Sequence, residues 1–180
     1  AESRRAYAVP FSSKSKNLDR YLLPGELSIE KNGKYNLGKG GNDCKKITQL
    51  KLDIINDTLD INKKANIVGF LSLAMRKARI WLLTTQESTY RNNRFNWSVN
   101  MGIPAKSLEN DKLRVTYQTL ALLAWRLSLS SEPLLVDSVV QEIKKSDLLK
   151  GANLGVSPLS SDGELTIDSL GLFPEFLAQI

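Results

Sequence analysis

The sequence has no histidine and a single cysteine, Cys44. Without an imidazole, Ser-His-Asp and Cys-His nucleophilic machinery cannot be assembled from this chain, and a His-based zinc site is equally excluded. A lone thiol cannot close an intrachain disulfide or furnish a cysteine-rich metal site. It suits a reducing compartment, so a cytoplasmic location is expected. Long apolar runs are missing too. The longest cluster, Ile80-Trp-Leu-Leu83, falls far short of the roughly 18 residues of a spanning helix, and no basic start with an apolar core marks a signal peptide. No membrane partner is therefore expected. Nor is there a dense basic run interleaved with aromatics. The net charge of +6 is spread over Arg4-Arg5, Lys14 and Lys16, Lys45-Lys46, Lys63-Lys64, Arg76-Lys77-Arg79 and Lys144-Lys145. That dispersal favours a solvated basic surface over a nucleic-acid groove.

What is present is the composition of a globular domain. At 180 residues, 42% hydrophobic and 24% charged, the chain has enough apolar material for one core and too much for a disordered segment. No internal repeat, heptad or low-complexity tract interrupts it. The most informative stretch is Phe95-Asn-Trp-Ser-Val-Asn-Met-Gly-Ile-Pro104. Phe95, Trp97, Val99 and Met101 alternate with Asn96, Ser98 and Asn100, which predicts a half-buried strand with Trp97 toward the core. The polar row opposite is expected to line a cleft or partner surface, or to mark an edge strand. Gly102 and Pro104 stop the strand, proline having no N–H for a ladder. Ser107 is placed to cap a helix with Glu109 and Asp111 in its first turn. Leu113, Tyr117, Leu120, Ala121, Ala124 and Leu127 then trace an amphipathic helix of about five turns.

Around this centre, Ala6-Tyr-Ala-Val-Pro-Phe11 predicts a short strand. Glu26–Glu30 and Lys34–Gly38 predict a hairpin closed by the Asn32–Gly33 pair. The glycines of Gly38-Lys-Gly-Gly-Asn42 lack the lysine and hydroxyl residue of a phosphate loop at the right spacing, so they are expected to form the hairpin exit. Lys45 to Asp60 follows neither period and is expected to be irregular or helical, ending near Asn56-Asp57. Ile67, Phe70, Leu71, Ala74, Ala78, Trp81 and Leu82 predict a helix from about Asn62 to Thr84, with Arg76, Lys77 and Arg79 on a solvated rim. Thr85 to Asn93 predicts a polar loop. Pro133 is placed in the first turn of a helix bearing Val136, Val139, Val140 and Ile143 and ending near Gly151. Beyond a loop over 152–161, Glu164–Asp168 and Leu170–Phe173 predict short strands, and Pro174 to Ile180 the first turns of another helix. This order predicts an α/β fold whose later strands are parallel and whose early hairpin is antiparallel.

Val99-Asn-Met-Gly-Ile-Pro-Ala105, followed by a charged helix start and an Ala-rich helix, resembles the V-T-V-P-A segment of heat-shock chaperone ATPase domains, members of the actin-like superfamily. Tyr7-Ala-Val-Pro resembles that family's second strand. Leu23-Pro24 with the hairpin ending Tyr35-Asn-Leu-Gly38 resembles its T-P-S stretch and following hairpin, and Leu172-Phe-Pro-Glu-Phe-Leu-Ala178 is similar to its I-N-E-P-T-A-A-A segment. Ile67 to Thr84 resembles the helix preceding the V-T-V-P-A strand, and together these segments cover about two-thirds of the chain. The family's phosphate turns, D-x-G-T-T-N-S and D-x-G-G-G-T-x-D, are not reproduced: Glu2-Ser-Arg-Arg5 does not match the first, and Asp162-Gly-Glu-Leu-Thr-Ile-Asp168 has too few glycines for the second.

The resemblance implies a partial first lobe of an actin-like (ribonuclease H-like) ATPase, with a mixed sheet, an N-terminal β-hairpin and crossover helices. Residues 1–180 would be a single α/β domain cut from a larger two-lobed ATPase domain. The intact parent would bind ATP and Mg, while this chain alone is expected to bind no cofactor and to be inactive. Its main partner would be the remainder of the parent domain. Glu175 is the one catalytic candidate, in the place of the family glutamate near the metal-bound water. Its order, Pro-Glu where the family has Glu-Pro, leaves open a first-turn helix carboxylate. Two other readings stand beside this one. The first is a non-catalytic protein-interaction domain, suggested by the missing histidine and glycine motifs. The second is a nucleic-acid-binding module using Trp97, Tyr90, Arg91 and Arg94.

Overall fold

A computed structural model describes residues 5–12, 17–55, 59–91, 95–149 and 170–174. Leu27–Ile29 (β1) and Tyr35–Leu37 (β2) pair antiparallel, Leu27 opposite Leu37 and Ile29 opposite Tyr35. The reversal is one residue longer than an Asn-Gly two-residue turn would make it, with three residues between paired Glu30 and Lys34. Gly33 N–H donates to Glu30 O and Glu30 N–H to Lys34 O, both at 2.9 Å, and Gly33 stands at φ 82°. This is a type I turn closed by a left-handed residue, where glycine carries no Cβ penalty.

Lys45–Ile47 (β3) pairs with the other side of β1, giving an antiparallel sheet in the order β2-β1-β3. This strand replaces the irregular structure expected at Lys45. Lys45 and Lys46 are exposed, so the strand shows no alternation of apolar groups, as suits a charged edge. Leu50–Ile55 (α1) is helical, as expected for the latter part of that stretch. Residues 6–11 form no strand. Pro10 lacks a ladder donor, and Phe11 and Ser12 instead donate to Arg20 O at 2.7 and 3.1 Å.

Ile61–Thr85 (α2) is the longest helix, capped by Asp60, whose Oδ1 accepts from Lys63 N at 2.8 Å. Its inner face buries Ala65, Ile67, Val68, Gly69 and Ser72. At Gly69 a Cβ would lie 3.1 Å from the Tyr35 ring, so the missing side chain lets the helix settle onto the hairpin. Glu87–Tyr90 (α3) is a short helix where a loop was expected.

Val99–Ile103 (β4) ends at Pro104, and its predicted alternation runs unbroken from Phe95: odd positions are half-buried or buried and even positions exposed. The capping expectation at Ser107 is not met. Pro104 O accepts from Ser107 N at 2.8 Å and draws it into a short helix, Ala105–Leu108 (α4), where it is buried. The long helix Asp111–Ser128 (α5) starts afresh at Asn110, whose Oδ1 accepts from Leu113 N at 3.2 Å. Asp111 remains in the first turn, where the dipole favours it.

Val136–Leu149 (α6) follows. Pro133 lies ahead of that helix and not in its first turn, because the intervening residues bind the hairpin: Leu134 O accepts from Tyr35 N, and Val136 N donates to Gly33 O, each at 2.9 Å. Leu170–Pro174 (β5) pairs with β4 in parallel, from Val99 opposite Leu170 to Ile103 opposite Pro174. The expected strand at Glu164–Asp168 and the terminal helix lie outside the described residues.

The architecture is mixed α/β: a small antiparallel three-stranded sheet, a parallel strand pair and packed helices. One core joins them. Leu27 and Tyr35 from the hairpin, Val68 from α2, Ile103 from β4, Ala124 from α5 and Val139 from α6 all belong to it. No helix among the described residues is long and apolar enough to cross a membrane.

Candidate functional site

The sole catalytic candidate, Glu175, lies outside the described residues, so the structure places no side chain there. Among the described residues no group of three or more Cys, Asp or Glu is gathered so as to hold a metal ion. The glycine cluster is occupied with turning the chain from β2 to β3. Gly38 and Gly40 stand at φ 83° and 63°, and a Cβ on Gly40 would lie 2.5 Å from the Oγ of buried Ser28. Glycine is needed there by the strand beside it, which accounts for the cluster without a phosphate.

The polar row of Asn96, Ser98 and Asn100 is exposed along and just before β4. On the opposite side Phe95 stacks on Trp97 at 5.2 Å, and Trp97 meets Trp125 of α5 at 5.7 Å. Trp125 is buried and Trp97 half-buried, so both act as packing groups and Trp97 turns inward as expected. Tyr90 extends the aromatic row by an edge contact with Phe95 at 5.4 Å, and its hydroxyl lies 3.4 Å from that of Tyr7. That hydroxyl contact, and then Arg5, holds the Tyr7 phenol below the usual tyrosine range, while the same contact raises Tyr90. Arg91 pairs loosely with Glu87 at 3.9 Å, and Arg94 lies outside the described residues.

The basic cluster of α2 is where the structure departs most from expectation. Arg76 and Arg79 leave the solvated rim and clasp the C-terminal end of α5. Arg76 donates to Leu127 O at 2.9 Å and to Glu132 O at 2.7 Å, and Arg79 donates to Ser128 O at 3.0 Å and to Leu129 O at 3.3 Å. These carbonyls are left over at a helix end, where the dipole also favours cations. Burial, and then the charge of Arg79, lowers the pKa of Arg76. The Nε atoms of both arginines are buried without a partner. Their three-residue spacing puts the pair on one side of the helix, but their acceptors lie some fifty positions further along the chain. No local pattern announces such a clasp.

Beside this clasp a groove of about 510 Å³ opens between β2 and the outer part of α2, closed at one end by Pro133 and Leu134. Its walls are apolar at Leu73, Ile80 and Trp81 and basic at Lys34, Arg76 and Lys77. The volume lies within the range of ligand pockets. Sequence reasoning missed it because Trp81 read as part of a core stripe, whereas Trp81 is half-buried and the neighbouring Ile80 is 47% exposed.

Comparison with protein-family models, with curated proteins and with solved structures finds no match to this chain.

Proposed function

We propose that the chain supplies part of the first lobe of an actin-like ATPase domain of the heat-shock-chaperone kind. In this reading it is a scaffold beside an ATP–metal cleft that the rest of the parent completes. The observation that supports it is the pairing of β4 with β5. The strand ending in Gly102-Ile-Pro104, on which the resemblance rests, lies parallel to a strand reached only after α5 and α6. Parallel neighbours need such a crossover. The exposed Asn96, Ser98 and Asn100 row would face the cleft or the parts that complete it.

The described residues do not themselves fit a nucleotide phosphate. Phosphoryl transfer relies on oriented backbone amides and a metal, and the glycine cluster is committed to its turn against Ser28. No catalytic step is therefore assigned to them. Glu175 stays the candidate carboxylate of the intact domain. Sequencing the parent coding region on both sides of the chain tests the reading. An Asp-x-Gly turn upstream and a glycine-rich Asp-x-Gly-x-Gly-Thr loop downstream are expected. A stop codon directly after Ile180, or ATP turnover by these 180 residues alone, would overturn it.

A second reading, a non-catalytic interaction domain, is favoured by the open groove beside β2.

A further inference from the structure

β2 is an edge strand, since the sheet order is β2-β1-β3. In an antiparallel pair, alternate residues turn their backbone N–H and C=O toward the partner, and those between turn them outward. Glu30 N–H bonds Lys34 O, and Gly38 N–H bonds Glu26 O, so positions 34, 36 and 38 face β1 and positions 35 and 37 face away. The outward N–H of Tyr35 is already taken: it donates to Leu134 O, and the neighbouring Lys34 forms an antiparallel bridge with Leu135. The chain thus begins its own strand addition on this edge and then leaves it. At Leu37 the outward N–H and C=O find no partner among the described residues, and they border the groove.

The charge of the groove specifies what fits. No carboxylate lines it. Lys34 is met at 3.6 Å by the half-buried Glu30. Arg76 and Lys77 donate to backbone carbonyls, Lys77 to that of Phe11 at 2.6 Å with its ammonium also 5.6 Å from the Phe11 ring centre, and neither meets a carboxylate among the described residues. Exposed Ile80 and half-buried Trp81 supply an apolar floor beside them.

We propose that this groove receives an extended peptide that carries both acidic and apolar side chains on one face, added as a strand to the outer edge of β2. It would pair with the free N–H and C=O of Leu37. Such strand addition draws affinity from main-chain hydrogen bonds and specificity from alternate side chains. Every second side chain of such a strand faces α2, and on that face acidic ones would turn to Arg76 and Lys77 and apolar ones to Ile80 and Trp81. The proposal holds whether or not the chain belongs to an ATPase.

The test uses the full 180-residue chain, labelled with ¹⁵N, and two pooled hexapeptide sets. One carries a mixture of Glu or Asp with Leu, Ile, Val or Phe at every second position and Ser between them, and the other replaces every acid with Lys. The acidic pool is expected to shift the Leu37 amide and slow its exchange, the Lys pool to do neither. Leu37→Pro removes the outward N–H and breaks no hydrogen bond to β1, and Leu37→Ala, which keeps the N–H, controls for the lost side chain. The proline variant should weaken binding roughly tenfold with the far-UV circular dichroism kept. Lys77→Glu should weaken binding about threefold or more at low salt and have less effect at high salt. Should Leu37→Pro unfold the chain, an acidic pool N-methylated at alternate residues gives the same answer on the unmodified protein by losing affinity. No binding of the acidic pool, equal binding of the Lys pool, or displacement of bound peptide by single-stranded oligothymidine would overturn the proposal. So would full affinity of the N-methylated pool.

Discussion

The two sheets of this protein are held by different means. β1 has a hydrogen-bonded neighbour on each side, β2 across a short turn and β3 with no paired residues more than 20 positions apart (Leu27 opposite Ile47). α2 closes the sheet from outside at Gly69, against the Tyr35 ring. Among the described residues β4 and β5 have only each other, are separated by the three helices α4, α5 and α6, and carry an exposed polar row along one side. Parallel sheets are ordinarily covered on both faces, so the pair leans on α5 and on Ile103, which is fully buried. The three-stranded sheet carries its own stability. The parallel pair borrows it, which makes it the natural place to accept further structure.

The same substitution on each side gives the largest contrast. Leu27 and Leu170 are both buried, but only Leu27 belongs to the common core. Leu27→Ala is expected to cost about 4 kcal/mol and Leu170→Ala about 2, the spread reflecting how far each site can relax around a cavity. Urea unfolding of the two variants measures this directly. Equal losses would mean that the parallel pair is as deeply rooted as the sheet.

Next in size is Gly40→Ala. The left-handed backbone costs an alanine roughly 1–2 kcal/mol, and the methyl would press on the Oγ of Ser28, itself fully buried in β1. Overpacking of this kind adds about 1–3 kcal/mol. A fall in midpoint to match, with the β4 amides unaffected in hydrogen exchange until global unfolding, would separate the two sheets. Gly41→Ala is the control, because no atom lies within 4 Å of a Cβ there.

How much of this could be read from the chain follows the same division. The hairpin, α2, α5 and the α6 stripe announce themselves through turn residues and period, because their stabilising contacts are close in sequence. The alternation from Phe95 to Ile103 was visible residue by residue, and so was a strand at Leu170–Phe173. β3 was missed because two lysines on an edge strand hide its period. Ser107 was misread as a cap because a proline just upstream captures it in α4. The groove and the arginine clasp were not legible at all. Each needs the end of α5 and the segment at Pro133 to come alongside α2, and no local spacing encodes that. Nothing structural bears on Glu175.

The clasp reinforces the core packing that holds α5, and with it the parallel pair, against α2. Arg76→Met keeps the aliphatic stem against the groove and removes two charge-assisted hydrogen bonds, to Leu127 O and Glu132 O. Part of that loss returns as water reaches the freed carbonyls, and the neighbouring Arg79 no longer faces a like charge. A net cost of about 2 kcal/mol is expected. Faster amide exchange across the parallel pair than across β1 is the signature to look for. If β1 loosened as much as β4, the clasp would belong to the whole core and not to one side of it.

The smallest effect tests the join on the other side, where α2 meets the hairpin. The Tyr35 hydroxyl donates to Asn66 Oδ1 at 3.1 Å, and the residue is only 2% exposed. Burial pushes its phenol well above the usual tyrosine range. With the folded pKa raised, the unfolded chain gives up this proton first. Stability from Tyr35 is therefore full below about pH 10, the unfolded value, and is lost as pH rises beyond it. Tyr35→Phe should cost about 1 kcal/mol at neutral pH, the net worth of one hydrogen bond. It should also flatten the alkaline loss of stability, so that the curves of variant and parent converge above about pH 10. Guanidinium titrations from neutral to alkaline pH read both effects at once. Curves that stayed parallel would mean that the phenol is not held neutral by the fold, and that α2 sits less tightly on the hairpin than the Gly69 contact implies.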